Sequence, residues 1–245
     1  MINLSKETCF LVVSHSGNLD VLKGLAYNFN KFSFQISNSY LLLNSNIEVK
    51  GFENFKIIFS EKDTWNSEME NALKVLKKLG FKRMLLWLDD FYLIKKPNNA
   101  DIEFFINENI DKKYIGLRPQ RNKIKILNFK RKRKSTEKIS FNFPYISSLK
   151  ASIWEIDHFM RILDLSKNIW DFEKISIPNV THFQSTCSKF HYLHTVEKGL
   201  WKYYTPFLFK KEYKISKGSR DLENNFLEKF LLDMLRFVKV KFFGY

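Results

Sequence analysis

The chain has 245 residues, is 44% hydrophobic and 27% charged, and carries 25 Phe against 8 Gly. That excludes a disordered segment and supplies enough apolar surface for a sizeable core, in one large α/β domain or two small ones. A formal net charge of +15 points to a polyanionic partner, a phosphorylated substrate or an acidic membrane surface, and says nothing about fold.

Cys9–Val13 is a short apolar run that predicts the first strand. The polar loop Ser14-His15-Ser16-Gly17-Asn18 leads from it into an amphipathic segment beginning near Asp20. Strand, small polar loop and helix is the arrangement in which backbone N–H groups and hydroxyls hold a nucleotide. Ser14 and His15 are the candidate contacts, although His15 reads equally well as a plain loop histidine. Phe55–Phe59 predicts a second strand. From Trp65, the apolar positions Met69, Ala72, Leu73, Leu76 and Leu79 fall at helical spacing, with Ser67 and Glu70 as a capping box and Gly80 as a stop. That helix feeds the run Met84–Leu88, which reads as a parallel strand buried on both faces and ends in Asp89 and Asp90. In an open α/β sheet, ligands bind beyond the carboxyl ends of the strands. Two adjacent carboxylates there need a cation or donor groups to compensate them. The expectation is a metal-assisted site for a phosphorylated ligand.

Asp101–Asn109 predicts a short helix and Tyr114–Leu117 another strand. Asn122–Phe129 alternates as a hairpin arm would and runs into Lys130-Arg131-Lys132-Arg133-Lys134. This run reads as a solvated loop tip, as a contact for phosphate or anionic lipid, or as a nuclear-localisation-like signal. Ser147–Leu165 predicts a strand or loop entering an amphipathic helix. In Asn168–Glu173, Trp170 and Phe172 alternate with Asp171 and Glu173, as in a pocket wall or in a turn anchored by its aromatics. His191 and His194 share a face if their segment is helical and face apart if it is a strand, so one metal ligand at most is expected there. Asp221–Phe243 predicts a helix with one apolar stripe and a basic end, packed on the core or lying on an anionic membrane. The chain thus divides into a domain over 1–215 and a basic amphipathic helix over 216–245.

Cys9 and Cys187 are the two cysteines, and no C-x-x-C pair exists. This argues for a reducing compartment and against a thiolate zinc site. The N-terminus lacks the pattern of a signal peptide, and no apolar run approaches the ~20 residues needed to span a bilayer. The expected location is the cytoplasm.

Three pieces of sequence together resemble a known family. They are Trp65-Asn66-Ser67 opening the helix that feeds Leu85–Phe91, then Ser148–Trp154 followed by Asn168–Glu173, then His194–Trp201. In this order they look like bacterial nucleotide-sugar glycosyltransferases with the GT-A fold, which build capsule, O-antigen and similar surface polysaccharides. The resemblance implies a single α/β domain with a mostly parallel central sheet flanked by helices. It also implies a nucleotide-sugar donor, a saccharide or lipid-linked glycan acceptor, and a divalent cation, Mn²⁺ or Mg²⁺. The family's acidic motif is commonly Asp-x-Asp, whereas this chain reads Leu88-Asp89-Asp90. By position, Asp90 and His194 are the metal ligands the resemblance implies. Ser14, His15, Trp65, Asp89 and Lys198 are placed at the donor, with Lys198 neutralising the leaving phosphate. Transfer needs a carboxylate to take the acceptor's proton, and Glu173 is the expected base, with Asp171 second. Trp154 and Trp170 have faces suited to stacking on a sugar ring, with core packing expected for at least one. The enzyme is expected on the inner face of a membrane. A nucleic-acid-binding protein and a non-catalytic sugar-nucleotide-binding subunit are the alternatives; no RNA- or DNA-binding motif supports the first, so nucleic acid ranks low as a partner.

Overall fold

The computed structural model describes residues 1–62, 64–118, 135–186, 189–216, 218 and 220–223. The expected hairpin arm at 122–129, the basic run at 130–134, Cys187 and the helix expected beyond 223 lie outside them. The apolar run after Thr8 forms strand β1 (Thr8–Val13), buried along its whole length. Helix α1 (Leu19–Lys31) returns the chain to β2 (Ser39–Leu43) and then β3 (Lys56–Phe59). Helix α2 (Trp65–Lys78) precedes β4 (Arg83–Leu88). Its cap is Thr64, whose Oγ1 accepts from the Ser67 amide at 3.2 Å, so Ser67 is inside the helix and the expected capping box is not formed. Glu70 pairs instead with Lys74, one turn on. The helix stops where expected, with Gly80 at φ 90°.

Beyond the acid pair come β5 (Phe91–Leu93), α3 (Asn99–Glu108), β6 (Tyr114–Gly116), β7 (Thr136–Lys138), β8 (Ser152–Glu155) and α4 (Ile156–Leu165). Next are the single turn α5 (Ile169–Phe172), β9 (Phe183–Ser185), β10 (Tyr192–His194), β11 (Val196–Glu197), β12 (Leu200–Trp201), α6 (Thr205–Leu208) and α7 (Lys210–Ser216). The main sheet has the order β3-β2-β1-β4-β8-β6-β9-β7. The first four strands are parallel, β8 runs against β4 and β6, and β9 is parallel to β6. The architecture is therefore one α/β domain with a mostly parallel sheet between helical layers.

Side-chain alternation along β1 and β4 sorts the core into two faces. Phe10, Val12, Leu85 and Trp87 pack with α1, α3 and the ribbon made by β5 and β10. Cys9, Leu11, Met84 and Leu86 pack with α2, α4 and α5. Burial pushes the Cys9 thiol far up, as expected of an inert core cysteine. On the first face, Asn28 of α1 is fully buried and bonds both backbone groups of Leu93, at 2.7 and 3.0 Å, while reaching Glu212 of α7 at 3.0 Å. Gly24 lets α7 press against α1, since a Cβ there would lie 2.0 Å from Ser216 Oγ and 2.1 Å from Tyr92 Oη. After α7 the described residues stay on the domain. Asp221–Glu223 is extended rather than helical, with Trp201 N–H donating to Asp221 O and Glu223 N–H to Trp201 O, both at 2.9 Å.

Candidate active site at the carboxyl edge of the sheet

The parallel strands end in register. Val13 stands opposite Leu88 and Leu42, Ser14 N–H reaches Leu42 O at 3.1 Å, and Asp89 N–H reaches Val13 O at 3.2 Å. Ser14, the loop behind it and the acid pair therefore share one edge, where an α/β sheet leaves its ligand crevice. Asp89 is buried, and its Oδ2 accepts from Ser14 Oγ at 2.6 Å. Burial and then the charge of Asp90 push the Asp89 carboxyl up to about 7, against the opposing pull of Ser14, Asn18 and Arg220. Asp90 turns the other way. Its Oδ2 lies 2.5 Å from His194 Nε2 at the end of β10, and its Oδ1 is buried with no hydrogen-bond partner among the described residues.

Burial works against a charged His194, but the charge and hydrogen bond of Asp90 outweigh it and hold the imidazole pKa above its ordinary value. The register explains the meeting: β10 pairs antiparallel with β5, setting His194 opposite Phe91. Thr195 then locks the turn, with its amide and hydroxyl both donating to Asp90 O at 2.8 Å. The segment is a strand over Tyr192–His194, and His194 reaches the acid Asp90.

Arg220 had no sequence signal, lying in the stretch read as the start of a helix. Its guanidinium donates to Asp20 Oδ2 at 2.8 Å, to Gly17 O at 2.9 Å, to Asn18 Oδ1 and to Gly199 O at 3.4 Å. It ties the loop after β1, the start of α1 and the β11–β12 turn together around a cleft of about 350 Å³ lined by Ser16, Gly17, Leu19, Asp20, Gly218 and Arg220. Lys198 is exposed in that same turn, where it and Gly199 both have positive φ, 52° and 78°, as a two-residue hairpin turn demands. His15 is exposed and spends its Nδ1 on the Gly17 amide at 2.9 Å. A larger cleft of about 720 Å³, lined by Lys112, Arg118 and Glu137 among others, lies beside β7 and β9 at the far end of the sheet, away from the acid pair.

The remaining candidates sit on the α2–α4–α5 face. Trp65 is partly buried and packs on Phe172, ring centroids 5.6 Å apart. Glu173 follows α5, and its Oε1 accepts from the Leu149 amide at 2.8 Å. Asp171 Oδ2 accepts from the Lys167 amide at 3.0 Å, closing the capped turn. Asn168–Glu173 is thus a turn with an anchoring Phe172, and Trp170 is 68% exposed beside it. Trp154 corrects the expectation of sugar stacking. It is 0% exposed, wedged among Tyr114, Phe159 and Phe172, with Nε1 donating to Ser152 Oγ at 2.8 Å. A ring with no open face cannot stack on a ligand. Among the described residues, no hydrogen bond or ion pair joins Glu173 or Asp171 to the acid pair.

Under the same face lies a polar pair that was not foreseen. His158 Nε2 and His182 Nε2 are 2.7 Å apart, both rings are buried, and His182 Nδ1 is 3.0 Å from Ile146 O. The carbonyl requires the proton on His182 Nδ1, so His182 Nε2 accepts and His158 Nε2 donates. Burial lowers the pKa of both, that of His158 to about 3, with the neighbouring His182 as the next cause.

The protein is an α/β domain with its acid pair at the carboxyl edge of the parallel strands. No protein-family profile matches the chain, and no curated protein matches it. Among solved structures, S. aureus TarS 1–349 in complex with UDP-GlcNAc is 14% identical with a TM-score of 0.46, covering 96% of this chain and 73% of that one. A longer S. aureus TarS structure gives 14% and 0.47, and there the chain spans 44% of the TarS chain. A cytidylyltransferase from Leptospira borgpetersenii gives 8% and 0.39, covering 89% of this chain and 78% of that one.

Proposed function

We propose that this protein transfers a glycosyl group from a nucleotide sugar to a hydroxyl of a saccharide or lipid-linked glycan acceptor, with inversion. The observation that carries the reading is the acid pair at the sheet's carboxyl edge, where Asp90 offers a buried Oδ1 with no partner among the described residues, beside His194. An orphaned carboxylate oxygen is costly unless a ligand completes it. Among the described residues no group of three protein ligands forms. One carboxylate and one imidazole nevertheless fit Mg²⁺ or Mn²⁺, which take the rest of their shell from substrate phosphates and water. Asp90 and His194 would hold the ion. When bound, it would supply positive charge to the leaving diphosphate.

Around that centre each side chain has a distinct task. Ser14 and Asn18 orient Asp89, whose raised pKa lets it donate to a ribose or sugar hydroxyl as well as accept from one. Lys198, on its exposed turn, approaches the leaving phosphate and balances the charge that develops as the C1–O bond to the diphosphate breaks. Glu173, fixed through Oε1 by the Leu149 amide, takes the acceptor's hydroxyl proton on its second oxygen as that hydroxyl's oxygen bonds C1. Asp171 is the second choice for this step. Trp170, exposed beside Glu173, offers an apolar face to the acceptor sugar. His15 and Trp65 line the approach to the donor rather than the reacting centre. That S. aureus TarS has been seen with UDP-GlcNAc makes this compound a natural first donor to try. The test is Glu173→Gln: transfer should be lost while donor binding persists, and undiminished transfer in this variant refutes the assignment of the base. A chain that binds nucleotide sugars but hydrolyses and transfers none would instead be a non-catalytic subunit.

A further inference from the structure

Residues Thr205–Ser216, which form α6 and α7, have two dissimilar sides. Thr205, Phe209, Glu212 and Ser216 are buried against the domain. Phe207, Leu208, Lys210, Lys211, Lys214 and Ile215 face outward, with Phe207 75% and Leu208 55% exposed. The sole acid of the stretch, Glu212, is turned inward, where its Oε1 meets Lys31 at 2.8 Å and Asn28 at 3.0 Å. Within Thr205–Ser216 the outward side therefore carries three bulky apolar side chains and three lysines and no acid. Adjacent large hydrophobic residues this exposed mark a contact surface.

The position of this surface matters as much as its composition. Thr205 Oγ1 donates to Thr195 O at 3.1 Å, Tyr204 Oη donates to His194 O, and Thr195 bonds Asp90 O. The apolar tip is thus fixed, through these short hydrogen-bonded steps, to the turn that carries Asp90 and His194.

We propose that α6–α7 docks on an anionic lipid bilayer, with Phe207 and Leu208 entering the interface and Lys210, Lys211 and Lys214 meeting the headgroups. Charge complementarity selects this occupant: aromatic and aliphatic insertion beside a lysine cluster is the pattern of interfacial binding, and each half strengthens the other. No described helix is long and apolar enough to cross a membrane. Resting on the proposed glycosyl transfer, the inference names the acceptor class as lipid-linked.

The experiment is co-sedimentation of the full chain with phosphatidylglycerol/phosphatidylcholine vesicles and with pure phosphatidylcholine vesicles, without donor. The wild type should bind the anionic vesicles at least roughly tenfold better. F207S/L208S should lose about tenfold of that binding, and K210Q/K211Q/K214Q should bind less and with a weaker salt dependence. Both variants should keep wild-type donor binding and thermal stability. Absence of binding to anionic vesicles overturns the proposal, as does F207S/L208S binding as tightly as the wild type. A wild-type dimer in solution that F207S/L208S converts to monomer also overturns it, by giving the surface to a second copy. Because vesicle binding is read without donor, its failure is separate from a failure of glycosyl transfer.

Discussion

The buried imidazole pair gives a stability prediction that can be worked through. His158 and His182 are neutral in the fold and ionise near pH 6.5 once unfolded, because burial holds both below their ordinary value. Between pH 6.5 and the folded value of about 3 for His158, the unfolded chain binds the extra proton. Stability contributed by His158 is therefore present above pH 6.5 and is lost as pH falls, at about 1.4 kcal/mol per pH unit. From pH 6.5 to 5.0 that amounts to about 2 kcal/mol for His158 alone. Asp89 and His194 work in the opposite sense. Their folded pKa values are raised, so they gain stability as pH falls through those values, and the wild-type curve alone blends both trends.

The perturbation that isolates the effect is His158→Gln, whose amide N–H keeps a donor for His182 Nε2 and does not titrate. Urea unfolding of both proteins from pH 7.5 to 5.0 gives the difference in unfolding free energy at each pH. That difference should be constant above pH 7. Below pH 6.5 it should shift in favour of the variant by about 1.4 kcal/mol per pH unit. A difference that stays flat down to pH 5.0 would refute the reasoning and mean that His158 is protonated in the fold.

Other perturbations probe packing and the site. Asn28→Ala strips partners from both backbone groups of Leu93 and from Glu212; it should cost about 2–4 kcal/mol in denaturant unfolding, since each buried group left unpaired costs about 1–3. Trp154→Ala should cost about 3–5 kcal/mol, whereas Trp170→Ala should leave stability within about 0.5 kcal/mol and weaken the acceptor KM. Arg220→Gln should loosen the loop after β1, raising the donor KM several-fold more than it changes kcat, as measured by initial rates over a donor series.

Much of the fold was legible in the chain. The apolar run ending in Leu88, the spacing from Trp65 and the stop at Gly80 locate β4 and α2 to within a residue or two, because burial on both faces of a strand and on one face of a helix leaves periodic marks. The capping box was misplaced because Thr64, outside the periodic pattern, caps the Ser67 amide and starts the helix one residue later at Trp65, which leaves Ser67 inside it. The reversal of β8 against β4 was hidden, since a buried strand reads the same in either direction. The acid pair was visible as two adjacent carboxylates, and the resemblance set His194 with Asp90, but the contacts of Ser14 with Asp89 and of Arg220 with Asp20 were not visible. Ser14 meets Asp89, His194 meets Asp90 and Arg220 meets Asp20 across separations of 75, 104 and 200 residues, and no local pattern encodes such contacts. Trp154 misled for a related reason: an aromatic beside a motif looks the same whether it faces a ligand or the core.

The central claim is that Asp90 and His194 hold a divalent cation against the diphosphate of a nucleotide sugar. Calorimetric titration of a nucleotide-sugar panel, with and without Mn²⁺, into the wild type and Asp90→Asn tests it directly. The account predicts a donor that binds the wild type in a cation-dependent manner and loses that dependence, with most of its affinity, in Asp90→Asn. Donor binding that is equal in both proteins and indifferent to the cation would contradict it, as would the failure of every nucleotide sugar to bind.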